Sequence, residues 1–118
     1  MTHLAVAFVG YRQEWERDWI AARLTDAVHM TALPCDPSCT IVERAGDLPE
    51  RVDMLIAWGF PVDSVPERPG RLKLIQCLAA GTDRVPKVEL HRLGIPVAGN
   101  AGANSVAVTE WAVLLIVA

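Results

Sequence analysis

The chain has 118 residues, a net charge of −3, 52% hydrophobic residues and 21% charged ones. That length supports one domain with its own core, and the composition excludes a disordered polymer. The basic residues are scattered, so no nucleic-acid footprint is present, and the longest apolar run, Trp111 to Ala118, is too short to span a bilayer.

Leu4 to Val9 is a short apolar run ending at Gly10, which predicts a buried first strand rather than a signal peptide, since no basic segment precedes it. Gln13 to Ala27 has helical spacing, with Trp15, Trp19 or Ile20, Leu24 and Ala27 on one face. Met30 to Leu33 predicts a second strand, stopped by Pro34; Asp36-Pro37-Ser38 is turn chemistry. Asp53 to Trp58 predicts a third strand, Leu72 to Leu78 a fourth and Ile95 to Ala98 a fifth. The Pro-rich patch from Pro61 to Pro69 reads as a surface connection. Between the fourth and fifth strands, Pro86 suits a first helical turn and Gly94 the position just past a helix end. A Gly/Asn-rich loop then runs into an apolar helix from Asn104, which ends in Leu114-Leu115-Ile116-Val117-Ala118 without a glycine cap or a basic last turn. Strands alternating with helices, and apolar on both faces, predict an α/β fold with an open parallel sheet of about five strands and helices on both faces.

Ligands of such sheets bind at the carboxyl ends of the strands. Gly10-Tyr11-Arg12 offers neither a hydroxyl-rich phosphate loop nor an acidic pair, and Trp58-Gly59 carries no aspartate to be phosphorylated. Gly99-Asn100-Ala101-Gly102 gives only G-x-x-G, and no Walker lysine is present, so no cofactor-binding residue is assigned. Cys35 and Cys39 lack further ligands nearby, so no metal site is assigned. Three cysteines, an odd number in a chain that needs no staples, point to a reduced, cytoplasmic protein. His3, His29 and His91 are scattered and read as solvated surface groups.

The turn Ala79-Ala80-Gly81-Thr82-Asp83 follows a buried strand and precedes a helix. Its backbone N–H groups can form an anion nest. Equally, it can be a plain strand-to-helix turn capped by Asp83 or Thr82. Asn104 carries the same two readings, as helix cap or as a holder of a small polar ligand. Glu110, inside an apolar helix, either faces solvent or serves an interdomain contact.

The pattern L-K-L-I-Q-x-L-x-A-G-x-D, then R-x-G-I-P-V, then N-x-x-x-N-S-V-A-x-x-E resembles the substrate-binding (catalytic) domain of NAD(P)-dependent D-2-hydroxyacid dehydrogenases over Leu72 to Ala118. Residues 1–71 agree only in strand order and hydrophobic pattern. The resemblance implies a flavodoxin-like lobe over residues 1–103 and the start of an interdomain crossing helix over 104–118. It implies substrate binding by Ala80, Gly81 and Asn104, and structural or interdomain roles for Asp83, Glu110 and Trp111. Two departures from the family's V-A-E signature are Thr109 at its middle alanine and Trp111 after its glutamate.

The groups that hold NAD or NADP and the family's catalytic Arg, Glu and His match nothing in this chain. The expected parent is an oxidoreductase acting on small 2-hydroxyacids or 2-oxoacids, and the chain by itself is expected to be an inactive fragment without bound cofactor. Pairing through the apolar helix is expected to give a homodimer. The rival reading is a stand-alone flavodoxin-like binding or assembly module without catalysis.

Overall fold

The computed structural model describes residues 3–9, 14–33, 48–58, 70–83 and 85–118. Its elements run β1 (Leu4–Val9), α1 (Glu14–Ala21), β2 (Val28–Leu33), α2 (Leu48–Arg51), β3 (Met54–Ala57), β4 (Leu74–Cys77), α3 (Lys87–Arg92), β5 (Val97–Ala98) and α4 (Ser105–Val117). The five strands form one sheet in the order β2-β1-β3-β4-β5, and each neighbouring pair is parallel. This is the α/β architecture the alternating pattern calls for. The turns at Gly10–Arg12, at Asp36–Ser38 with both flanking cysteines, and the Pro61–Pro69 connection lie outside the described residues.

Alternate strand residues face opposite sides of a sheet. Here Ala7, Val9, Leu55, Ala57, Ile75 and Cys77 pack with Val85, Leu90 and Ile95 from the α3 region on one face. Val6, Phe8 and Ile56 form a smaller cluster on the other, covered by Ile20 of α1 with Val28 and Met30 of β2. Helices therefore cover both faces. Pro86 stands at the N-cap of α3, and Gly94 follows its C-cap with φ +71°, a backbone state that costs a side chain about 1–2 kcal/mol.

Three details depart from the sequence expectations. The first helix stops at Ala21 rather than Ala27, because Arg23 and Leu24 donate to the carbonyls three residues back and tighten the chain into a turn. Its inward side is the half-buried Ile20, whereas Trp15 and Trp19 are exposed; the Arg23 guanidinium lies 3.6 Å over the Trp19 ring. β2 begins two residues early, at Val28, while β3, β4 and β5 are shorter than their apolar runs.

A buried carboxylate at the amino ends of the strands was not foreseen. Asp53 accepts from the N–H of Ala5 at 2.9 Å and from Arg71 Nη2 at 2.7 Å, while its own N–H donates to the Ala5 carbonyl. The Ala5 bond lowers its pKa, burial opposes, and the Arg71 contact lowers it further; the carboxyl ends below its ordinary value.

Candidate functional site

Because all five strands are parallel, the loops after β4 and β5 leave the sheet at one edge, from neighbouring strands. The first, Leu78 to Asp83, carries Ala80 and Gly81. The second, Gly99 to Asn104, carries Asn104. The fold thus places the loops that carry these three residues at the same end of the sheet, after neighbouring strands.

The two loops are stitched directly. Asn100 donates its backbone N–H to the Ala79 carbonyl at 3.2 Å, and its Nδ2 to the Leu78 carbonyl at 3.2 Å. A Cβ on Gly99 would stand 3.0 Å from the Thr82 methyl, so only glycine allows this approach without displacing Thr82. Thr82 is held at its other end, its hydroxyl accepting from Lys87 Nζ at 2.9 Å.

Among the described residues no acceptor meets the N–H of Ala80 or of Gly81, and both residues are exposed. Two successive free amides at the carboxyl end of a strand form a small patch of positive potential. The Asp83 carboxylate sits close by, its Oδ2 3.3 Å from where a Gly81 Cβ would be. An anion at the amides would meet that charge, while the Lys87 ammonium is bonded to Thr82 in the same loop.

Neither Thr82 nor Asp83 caps the next helix. The N-cap of α3 is Pro86 and has no side-chain bond, while the Thr82 carbonyl closes a turn with the N–H of Val85. Asn104 does stand at the N-cap of α4, but its side chain makes no capping bond; among the described residues its amide has no partner. Ser105 instead donates its hydroxyl to the Gly102 carbonyl at 2.9 Å. Glu110 and Trp111 project from α4 into solvent, and Glu110 lines an open groove with Ser105, Val106, Thr109 and Val113.

Beneath the loop, Cys77 is buried and free; burial pushes its thiol pKa up and Lys87 pulls it partly back. A thiol so held stays protonated and is a core group rather than a nucleophile. Among the described residues no group of His, Cys, Asp and Glu is arranged to hold a metal, and no helix is long and apolar enough to cross a membrane.

The strand order changes direction between β1 and β3, the usual crevice of such sheets. There Trp58, just past β3, donates its indole N–H to Glu16 of α1 at 2.9 Å. The candidate site lies two strands away, at β4 and β5. Sequence reasoning missed Asn100, Lys87 and Thr82 as its supports; the only signal was the glycine before Asn100, which marks a close approach.

No family model matches the chain, and no curated protein matches it. Among solved structures its fold is similar to that of a phosphoglycerate dehydrogenase from Lactobacillus plantarum, with a TM-score of 0.52 over 96% of this chain at 18% identity. The chain spans about one third (34%) of that protein's length. At that identity the likeness establishes the architecture: an open, parallel, flavodoxin-like α/β sheet.

Proposed function

We propose that the chain is the substrate-binding lobe of an NAD(P)-dependent oxidoreductase of the D-2-hydroxyacid dehydrogenase type. The pair of unpartnered amides at Ala80 and Gly81, in the loop beside the one bearing the free Asn104 amide, carries this reading. In it, the two N–H groups bind the carboxylate of a small 2-oxoacid or 2-hydroxyacid. Asn104 Nδ2 donates to an oxygen of the same substrate. Both contacts orient the reacting carbon, which is the lobe's share of catalysis.

The residues described here do not fit a nicotinamide cofactor. The β5–α4 loop lacks the third glycine of a dinucleotide turn, and a Cys77 thiol sealed in the core cannot serve as an acid or base. The cofactor, NAD or NADP, belongs in this reading to a second domain that supplies the hydride chemistry. Helix α4 suits the crossing to such a domain. It has apolar residues all round, no side-chain cap, no acidic first turn and no basic last turn. Such a helix of 13 residues is marginal in water and gains stability from being covered. Glu110 and Trp111 then lie at the domain boundary, and Asp83 shapes the loop.

The test is kinetic. A polypeptide joining residues 1–118 to a nicotinamide-binding domain should reduce 2-oxoacids, and Asn104→Ala should lower kcat/KM by about tenfold to a hundredfold, the worth of one or two hydrogen bonds to a reacting substrate. If Asn104→Ala leaves kcat/KM unchanged, Asn104 does not touch the substrate. Micromolar 1:1 binding of NAD to residues 1–118 alone would defeat the division of labour.

A further inference from the structure

Asn100 makes three hydrogen bonds, and each acts on a different part of the candidate site. Its N–H holds the Ala79 carbonyl, its Nδ2 holds the Leu78 carbonyl, and its own carbonyl accepts from the N–H of Ala103 at 3.3 Å. Among the described residues the peptide bonds are all trans. In a trans peptide the C=O of one residue and the N–H of the next point in opposite directions within one rigid plane. Since the Ala79 carbonyl is turned toward Asn100, the Ala80 N–H is turned away from it. The Leu78 bond fixes the plane before it in the same manner. The third bond sets the turn that delivers Asn104, four residues on.

We infer that Asn100 is the positioning residue of this site, setting the direction of the Ala80 N–H and the placement of Asn104 together. This rests on the substrate-binding reading given above, yet it specifies a residue that contacts no substrate. Gly99 is its companion, because a Cβ there would stand only 3.0 Å from the Thr82 methyl and push it aside. Lys87, gripping the Thr82 hydroxyl, holds the far end of the same loop. The carbonyls of Leu78 and Ala79 are drawn to one side by one residue, and the amides of Ala79 and Ala80, in the same two peptide planes, are turned the other way. The nest is thus a product of the β5–α4 loop as much as of its own sequence. That coupling separates the inference from a plain anion-binding turn, which would keep its shape without Asn100.

The experiment uses the isotope-labelled 118-residue chain, with pyruvate as the probe. Backbone dipolar couplings report the directions of the Ala79 and Ala80 N–H groups, and the chemical shifts of Ala80 and Gly81 report pyruvate binding. Asn100→Ala keeps the backbone donor and loses the side-chain bond; Asn100→Asp sets a carboxylate oxygen against the Leu78 carbonyl. Expected in both variants are changed couplings at Ala79, whose N–H shares the Leu78 peptide plane, and smaller changes at Ala80, whose plane keeps the backbone bond from Asn100, with those of β1 and β3 unmoved. Pyruvate affinity should drop by about fivefold in Asn100→Ala, the worth of one ordinary hydrogen bond, and further in Asn100→Asp.

Couplings at Ala79 and Ala80 that match the parent chain overturn the inference, even if pyruvate binds. Altered couplings with no pyruvate shift in the parent chain uphold the geometric control by Asn100 and overturn the substrate-binding reading instead. Should Asn100→Asp disturb the strands as well, Asn100→Ser replaces it, since it too removes the amide bonded to Leu78 and keeps the backbone donor.

Discussion

β4 and α4 are both apolar, yet Ile75 in β4 is 1% exposed and Ile116 in α4 is 83% exposed. The strand has β3 on one side and β5 on the other, with the residues of the α3 region packed over it. The helix packs no buried residue against the body. Hydrophobic content is therefore a poor guide to where the core lies; the number of neighbours an element meets decides it. In the sheet, apolar side chains hold the molecule together. In α4 they are surface that water touches, more like one side of an interface than part of a domain.

The sharpest way to break this comparison is to remove the same side chain from both places. Ile75→Ala deletes methylenes from the larger core cluster and should cost about 2–5 kcal/mol in a denaturant titration. Ile116→Ala should cost no more than about 0.5 kcal/mol, because nothing packs on it. Equal costs would mean that α4 folds back onto the sheet in solution, and the contrast would vanish.

A second test sets the two ends of the sheet apart by pH. Asp53 is ionised and bonded at the amino ends, with its pKa held below the ordinary carboxylate value by the Ala5 N–H and Arg71. A depressed carboxyl contributes stability above its unfolded pKa, near 3.9, and that contribution is lost as pH falls through the lower folded value. Acid should thus loosen the β1–β3 contact, and Asp53→Asn should remove this part of the acid dependence. Unfolding midpoints measured from neutral pH to below pH 3 check it; curves of identical shape for both chains would mean that the carboxylate is not the acid-sensitive clasp. Cys77 works at the other end of the scale. Its raised pKa means stability fully present below the unfolded thiol value, and lost as pH rises through the folded one.

What the sequence revealed follows the same divide. Short apolar runs located all five strands, because a buried parallel strand needs continuous hydrophobicity and little else. Gly94 and Pro86 located α3, since each residue suits one backbone position. Ala80, Gly81 and Asn104 were singled out by the family resemblance, and parallel topology places their loops after neighbouring strands. Trp15 and Trp19 misled, because helical periodicity shows that a face is apolar without saying that anything covers it. Asp53 with Arg71, and Asn100 with Leu78, could not be read at all. Each pairs residues 18 or more positions apart, and only the strand order makes them neighbours.

The smallest expected effect concerns the exposed helix itself. Eight large apolar residues of α4 are each more than half exposed, from Val106 to Val117. Burying such a side chain fully is worth about 1.5–3 kcal/mol, or roughly 60–120 Å² of apolar surface each, so α4 offers on the order of 400–600 Å². A stable interface uses about 800 Å² per partner, and two copies meeting along one side of a cylinder cannot bury its whole circumference. Pairing of the lone chain through α4 should consequently be weak, with a Kd of roughly 100 µM or above. Light scattering should show a monomer at low micromolar concentration and a rising mass toward millimolar. Leu115→Glu should hold the chain monomeric throughout while leaving the denaturant midpoint of the sheet in place. A chain that stays monomeric into the millimolar range without the substitution would show that exposed apolar surface on α4 is too curved for a second copy to cover.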